Sequence, residues 1–170
     1  MEVDEIRSAL EELAHELDRR GVNARILLAG GVVMALAFGA RIATADVDAD
    51  VHPVDEVLTV ARLIGGSRGL PDSWLSPAAK TFIPTFKEPD WRPVFTVGRV
   101  QLLHADERAM PAMKRRAGRG QRHQADITFL CRACRITSAA DAVDRYRAHF
   151  PDDPLPDRAG PLFGVALDGG

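Results

Sequence analysis

Residues 46–51 read Asp-Val-Asp-Ala-Asp-Val, a strict alternation of acid and small apolar side chain. Only an extended strand, with a side-chain period of two, separates such residues cleanly, so Asp46, Asp48 and Asp50 share one face and Val47, Ala49 and Val51 the other. The segment before it restricts the chain further. Ala24–Ala29 (ARILLA) is an apolar run of strand length, Gly30-Gly31 follows, and VVMALAFG then suits a buried helix closed by Gly39. The chain therefore runs strand, glycine junction, helix, acidic strand.

Around this unit the periodicity changes. Ile6, Leu10, Leu13 and Leu17 recur at helical steps within residues 3–20, and Gly21 ends that helix. Pro53 starts another helix through Val57, Leu58, Ala61 and Leu63, which Gly65-Gly66 are expected to stop. Residues 65–93 are irregular, with one short helix near Pro77–Lys80. Val94–Val97 and Arg99–His104 flank Gly98 as a strand pair. Helical patterns follow at 106–117, 121–135 and 138–149, the last with an N-cap signal at Thr137-Ser138. The expected class is α/β or α+β, a short mixed sheet flanked by helices with C-terminal helices. We place a core at 1–107, a helical part at 108–150 and a Pro/Gly-rich tail at 151–170.

Charge is unevenly spread. The net value is −2, yet residues 108–135 hold eight basic residues and only Asp126, a formal +7 (8 − 1). Two cysteines cannot form a disulfide framework. No apolar run reaches the ~18 residues of a membrane span, and the start MEVDEIR is not a signal peptide, so a soluble cytoplasmic protein without membrane partners is expected.

The chemistry resides first in Gly30-Gly31 and the acidic strand. Paired glycines let backbone approach a ligand, and free N–H groups at the junction suit phosphate. Carboxylates at i and i+2 on a strand project together, as hard oxygen ligands for Mg²⁺ or Mn²⁺ that share the ion with substrate phosphates. Alone, Gly-Gly is a turn and an acidic strand face is merely solvated. Together they suit a nucleoside triphosphate and its metal.

The run AGGVVMALAFGARIATADVDADV resembles the signature of minimal nucleotidyltransferases of the DNA polymerase β superfamily, and within it the AbiEii-like toxin branch, where Arg-x-Thr/Ser precedes the Asp pair. DSWLSPAAKTFIP, PDWRPVFTVGRVQLL and PAMKRRAGRGQRHQADITFLCRA extend the likeness over about residues 5–150. The resemblance implies a small nucleotidyltransferase fold and an enzyme moving a nucleotidyl group from an NTP to an acceptor hydroxyl. It points to RNA, such as the 3′ end of tRNA, in a toxin–antitoxin setting with an antitoxin partner. It assigns metal to Asp46 and Asp48, and nucleotide to Gly30, Gly31, Arg41, Thr44 and Lys114. Lys114 would also offset charge on pyrophosphate. The family's third strand carboxylate is missing from Arg99–His104, and Asp126 is the substitute, ahead of Asp50, Glu88, Asp90 and Asp106.

Each further residue has a structural alternative. Arg115, Arg116, Arg119 and Arg122 either grip RNA phosphates or solvate a helix. Lys114 either reaches triphosphate or snorkels, and Arg41 either binds phosphate or caps a helix. Cys131 and Cys134 lack a second ligand pair and read as buried thiols. Trp74 and Trp91 read as core cover, while His52, His104, His123 and Lys80 carry only weak signals. The absent strand carboxylate also motivates a second function class, a non-catalytic nucleotide-binding or interaction module on the same fold.

Overall fold

The computed structural model describes residues 1–40, 42–117 and 122–153, without the side chains of 122–124. These form two compact units. One comprises Met1–Thr81 with Trp91–His104, and the other comprises Phe82–Asp90 with the chain from Ala105 onward.

The first unit begins with α1 (Val3–Arg19), whose stripe of Ile6, Ala9, Leu10, Leu13, Ala14 and Leu17 is wholly buried. The chain continues through β1 (Ala24–Ala29), α2 (Gly30–Leu36), β2 (Val47–His52) and α3 (Val54–Arg68). The two-residue β3 (Leu75–Ser76) precedes a 3₁₀ turn at Pro77–Phe82, and β4 (Trp91–Val97) and β5 (Val100–Ala105) follow. The five strands form one mixed sheet in the order β3-β2-β1-β5-β4. Central β1 pairs antiparallel with β2 and parallel with β5, and its near-continuous burial matches a strand covered on both faces. At one edge, β4 carries Pro93 and is largely unburied, as an edge strand tolerates.

The second unit holds α4 (Met110–Ala117), α5 (Arg122–Ala133) and α6 (Ala139–His149), with α4 packed on both others. Ile127, Cys131, Ile136 and Ala142 form a small apolar core there. Ser138 caps α6 as expected, its side chain accepting from the Asp141 N–H at 3.1 Å. The molecule is thus a mixed α+β protein with C-terminal helices, and among the described residues no helix is long and apolar enough to cross a membrane.

Several boundaries differ from the sequence expectation. β2 begins at Val47, which leaves Asp46 outside the strand that carries Asp48 and Asp50, and β4 begins at Trp91 rather than Val94. α3 runs through Gly65-Gly66 to Arg68 and is capped by Gly69, which adopts φ +68°. Gly65 serves packing rather than termination, because a Cβ there would lie 2.8 Å from Trp74 Cδ1. α4 starts at Met110 rather than Asp106, whose carboxylate accepts from the Arg108 and Ala109 N–H groups at 2.6 and 3.0 Å and shapes a turn instead. Cys134 falls beyond the end of α5, so the two cysteines do not share one helix.

Candidate functional site

In the first unit, the antiparallel register sets Ala29, the last residue of β1, opposite Asp48 of β2. The next residue, Gly30, has φ +72°, a left-handed conformation that glycine adopts without strain. A Cβ on Gly30 would stand 2.9 Å from Asp48 Oδ2. The strand-to-helix junction therefore lies directly against a carboxylate, and glycine is required there twice over, by conformation and by space. Asp48 is half-buried between the fully buried Val47 and Ala49.

Asp46 is exposed just before β2, and its carbonyl accepts from Thr44 Oγ1 at 3.2 Å. Thr44 is held in turn by the chain start. Its N–H donates to the Met1 carbonyl at 3.1 Å, and its own carbonyl accepts from the Met1 ammonium at 2.9 Å. Asp50 faces His52 Nε2 at 3.2 Å. Arg41 lies outside the described residues. Asp46 and Asp48 supply hard oxygen donors of the kind Mg²⁺ takes from proteins. Among the described residues, no group of three or more His, Cys, Asp or Glu is gathered in a form that holds a metal ion.

In the second unit, Lys114 of α4 and Asp126 of α5 are both 4% exposed and form an ion pair, Nζ to Oδ2, at 2.7 Å. Such a pair gains little over apolar packing, yet removing one partner strands a buried charge at about 3–5 kcal/mol. Arg116 Nε lies 3.6 Å from Asp153 Oδ2, with the guanidinium 4.5 Å over the Phe150 ring. Tyr146 donates its hydroxyl to Asp153 Oδ2 at 2.8 Å, and burial with that hydrogen bond pushes the phenol up to about 12. Arg115 is only 8% exposed, and its Nε has no hydrogen-bond partner among the described residues. Arg119 lies outside the described residues, as do the side chains of Arg122 and His123.

Sequence reasoning assigned no role to Tyr146 or Asp153 and did not anticipate the burial of Arg115. The apolar Met110, Ala112 and Met113 beside the basic run were the available signal that this helix faces inward. The remaining candidates have structural partners. Trp74 is buried and donates Nε1–H to the Ala61 carbonyl at 2.8 Å, while Trp91 lies under the Arg25 guanidinium at 5.7 Å. His104 meets Phe38 edge-on at 5.9 Å, and Asp106 also accepts from the Asp90 N–H at 3.0 Å. Lys80 is exposed. Cys131 is a buried free thiol, whereas Cys134, expected to be buried too, is only half-buried. Burial pushes both up, Cys134 to about 12, which disfavours the thiolate a metal ligand or nucleophile needs. Comparison of the chain with family models, curated proteins and solved structures finds no significant match.

Proposed function

We propose that this protein transfers a nucleotidyl group from an NTP to an acceptor hydroxyl, with Mg²⁺ or Mn²⁺ held by Asp46 and Asp48. The observation that carries the reading is the contact of the Gly30 junction with the Asp48 carboxylate, since it gathers bare backbone and a hard oxygen ligand at one point. The donor set fits a divalent ion that completes its shell from substrate phosphates. When bound, that ion supplies charge neutralisation for the triphosphate during in-line displacement. In this reading the Gly30-Gly31 backbone would face the phosphates, and Asp48 is fixed in register by the β1–β2 pairing. Lys114 and Asp126 enter this reading through the family resemblance alone; as an ion pair they tie α4 to α5.

The acceptor we favour is RNA, such as a tRNA 3′ end, with a cognate antitoxin protein and a cytoplasmic setting. This rests on the resemblance and on the +7 segment at 108–135. Labelled NTPs with Mg²⁺ and total RNA should label RNA with the wild-type chain and not with Asp48→Asn. The second reading, a non-catalytic nucleotide-binding module, draws on the lack of a gathered third carboxylate among the described residues. Mg²⁺-dependent NTP binding without label transfer or pyrophosphate release would select it.

A further inference from the structure

Three consecutive cations of α4 meet different surroundings within the second unit. Lys114 is matched by Asp126 and Arg116 by Asp153. Asp153 also accepts from the Tyr146 hydroxyl. Among the described residues, three cations against two carboxylates leave one positive charge (3 − 2), and it falls on Arg115, the more buried of the two arginines. A guanidinium does not deprotonate in a protein, so Arg115 cannot relieve its burial by losing its charge. A buried charge without a partner is among the costliest arrangements a fold can hold. The buried Arg115 Nε also has no hydrogen-bond partner among the described residues.

We propose that Arg115 is the receptor for a phosphoryl oxyanion, the terminal phosphates of a nucleotide or of inorganic polyphosphate. The planar guanidinium fork matches tetrahedral phosphate oxygens bidentately and binds them most strongly where water is excluded. A multiply charged anion is favoured over a simple carboxylate because residues 108–135 carry eight basic residues against one acid, a field that concentrates polyanions. The site lies wholly within the second unit. It requires no transfer reaction, and it holds equally for an enzyme or for a binding module.

Thermal unfolding of the full chain without divalent cations tests this, using tripolyphosphate, ATP and acetate at matched ionic strength. Tripolyphosphate and ATP at about a hundredfold excess over Kd should raise the wild-type Tm by roughly 5–10 °C, and acetate should not. Equal rises assign the terminal phosphates alone, whereas a rise with ATP only assigns the nucleotide. Arg115→Met should abolish the rise while its ligand-free Tm stays at or above wild type, because a stranded charge has been removed. Should that variant not fold, Arg115→Lys keeps the charge without the fork and should lose most of the rise. Arg116→Met removes the same formal charge next door and should retain it. The proposal is overturned if wild type shows no phosphate-dependent rise, or if Arg115→Met or Arg115→Lys keeps it in full. It is also overturned if Arg116→Met abolishes the rise equally. A chain that transfers no nucleotide but shows this Arg115-dependent rise sinks the enzymatic reading and leaves the receptor in place.

Discussion

Replacing Gly30 with alanine forces a Cβ toward Asp48 Oδ2 at 2.9 Å, in a backbone conformation of φ +72°. Gly39→Ala supplies the control, since Gly39 has φ +60° and its Cβ would meet nothing within 4 Å. The left-handed conformation alone costs a residue with a Cβ about 1–2 kcal/mol, and both variants incur it. At Gly30 the obstructing atom is the end of a short side chain, so Asp48 rotates aside rather than the backbone breaking. An off-rotamer χ costs about 0.5–1.5 kcal/mol. The expected totals are therefore about 1–2 kcal/mol for Gly39→Ala and about 1.5–3.5 kcal/mol for Gly30→Ala. With a urea m-value near ~2 kcal/mol/M, the midpoints fall by about 0.5–1 M and about 0.7–1.8 M. The larger difference lies in chemistry. Asp48 leaves its register-fixed position, so Mg²⁺-dependent NTP binding should weaken at least about tenfold, a loss of ~1.4 kcal/mol, in Gly30→Ala and stay intact in Gly39→Ala. Equal urea midpoints for the two variants, with undiminished NTP binding by Gly30→Ala, would refute the reasoning.

Gly65→Ala places a Cβ 2.8 Å from the Trp74 indole, which its Nε1–H anchors to Ala61, so overpacking should cost about 1–3 kcal/mol. Near-ultraviolet circular dichroism and urea titration would register both the tilted indole and the lost stability. For the Lys114–Asp126 pair, Lys114→Met or Asp126→Leu alone should lose about 3–5 kcal/mol, and the double variant should return to within ~1 kcal/mol of wild type or exceed it. Single variants that cost less than ~1 kcal/mol would show the pair to be uncoupled. Cys134 offers a pH test, since its folded thiol is pushed from 9.0 up to about 12, mainly by burial. Between about pH 9 and 12 the unfolded chain releases a proton that the folded chain keeps, so stability falls as pH rises through that window. Cys134→Ala should flatten part of the decline, the remainder coming from Tyr146, also pushed up to about 12, and from Cys131, which burial also pushes up. Alkylation by iodoacetamide at pH 8 should correspondingly be slow when folded and accelerate in urea.

Local pattern located much of the first unit. The four leucine and isoleucine positions of α1 are fully buried, and the acid–apolar alternation became β2 from Val47 onward, with Val47, Ala49 and Val51 inside and Asp46 left outside the strand. Both signals are periodic, and a period survives any tertiary surroundings that bury one face. The glycine junction was legible because a strand-to-helix turn is a local demand, which Gly30 meets at φ +72°; that its close neighbour would be Asp48 was not. Long-range consequences were not legible. Gly65 looks like a helix stop until Trp74, nine residues further on, packs against it. The basic run at 114–116 reads as a phosphate-binding or a solvated face until two carboxylates, Asp126 and Asp153, are brought to its side chains. A sequence lists charges without showing which are neutralised, so the burial of Arg115 became visible only once the helices were in place.

The mixed pairing of β1 also bears on how the chain is made. Its antiparallel partner β2 is complete at His52, whereas its parallel partner pairs through His104, 52 residues later (104 − 52). At roughly 5–20 residues per second, a ribosome needs about 3–10 s to add that interval. During it, the central strand presents a bare apolar edge of backbone donors and acceptors, the sort of edge that recruits a second chain. A holdase or a neighbouring nascent copy thus has its opening in those seconds, and a message truncated at codon 81 would prolong that vulnerability indefinitely.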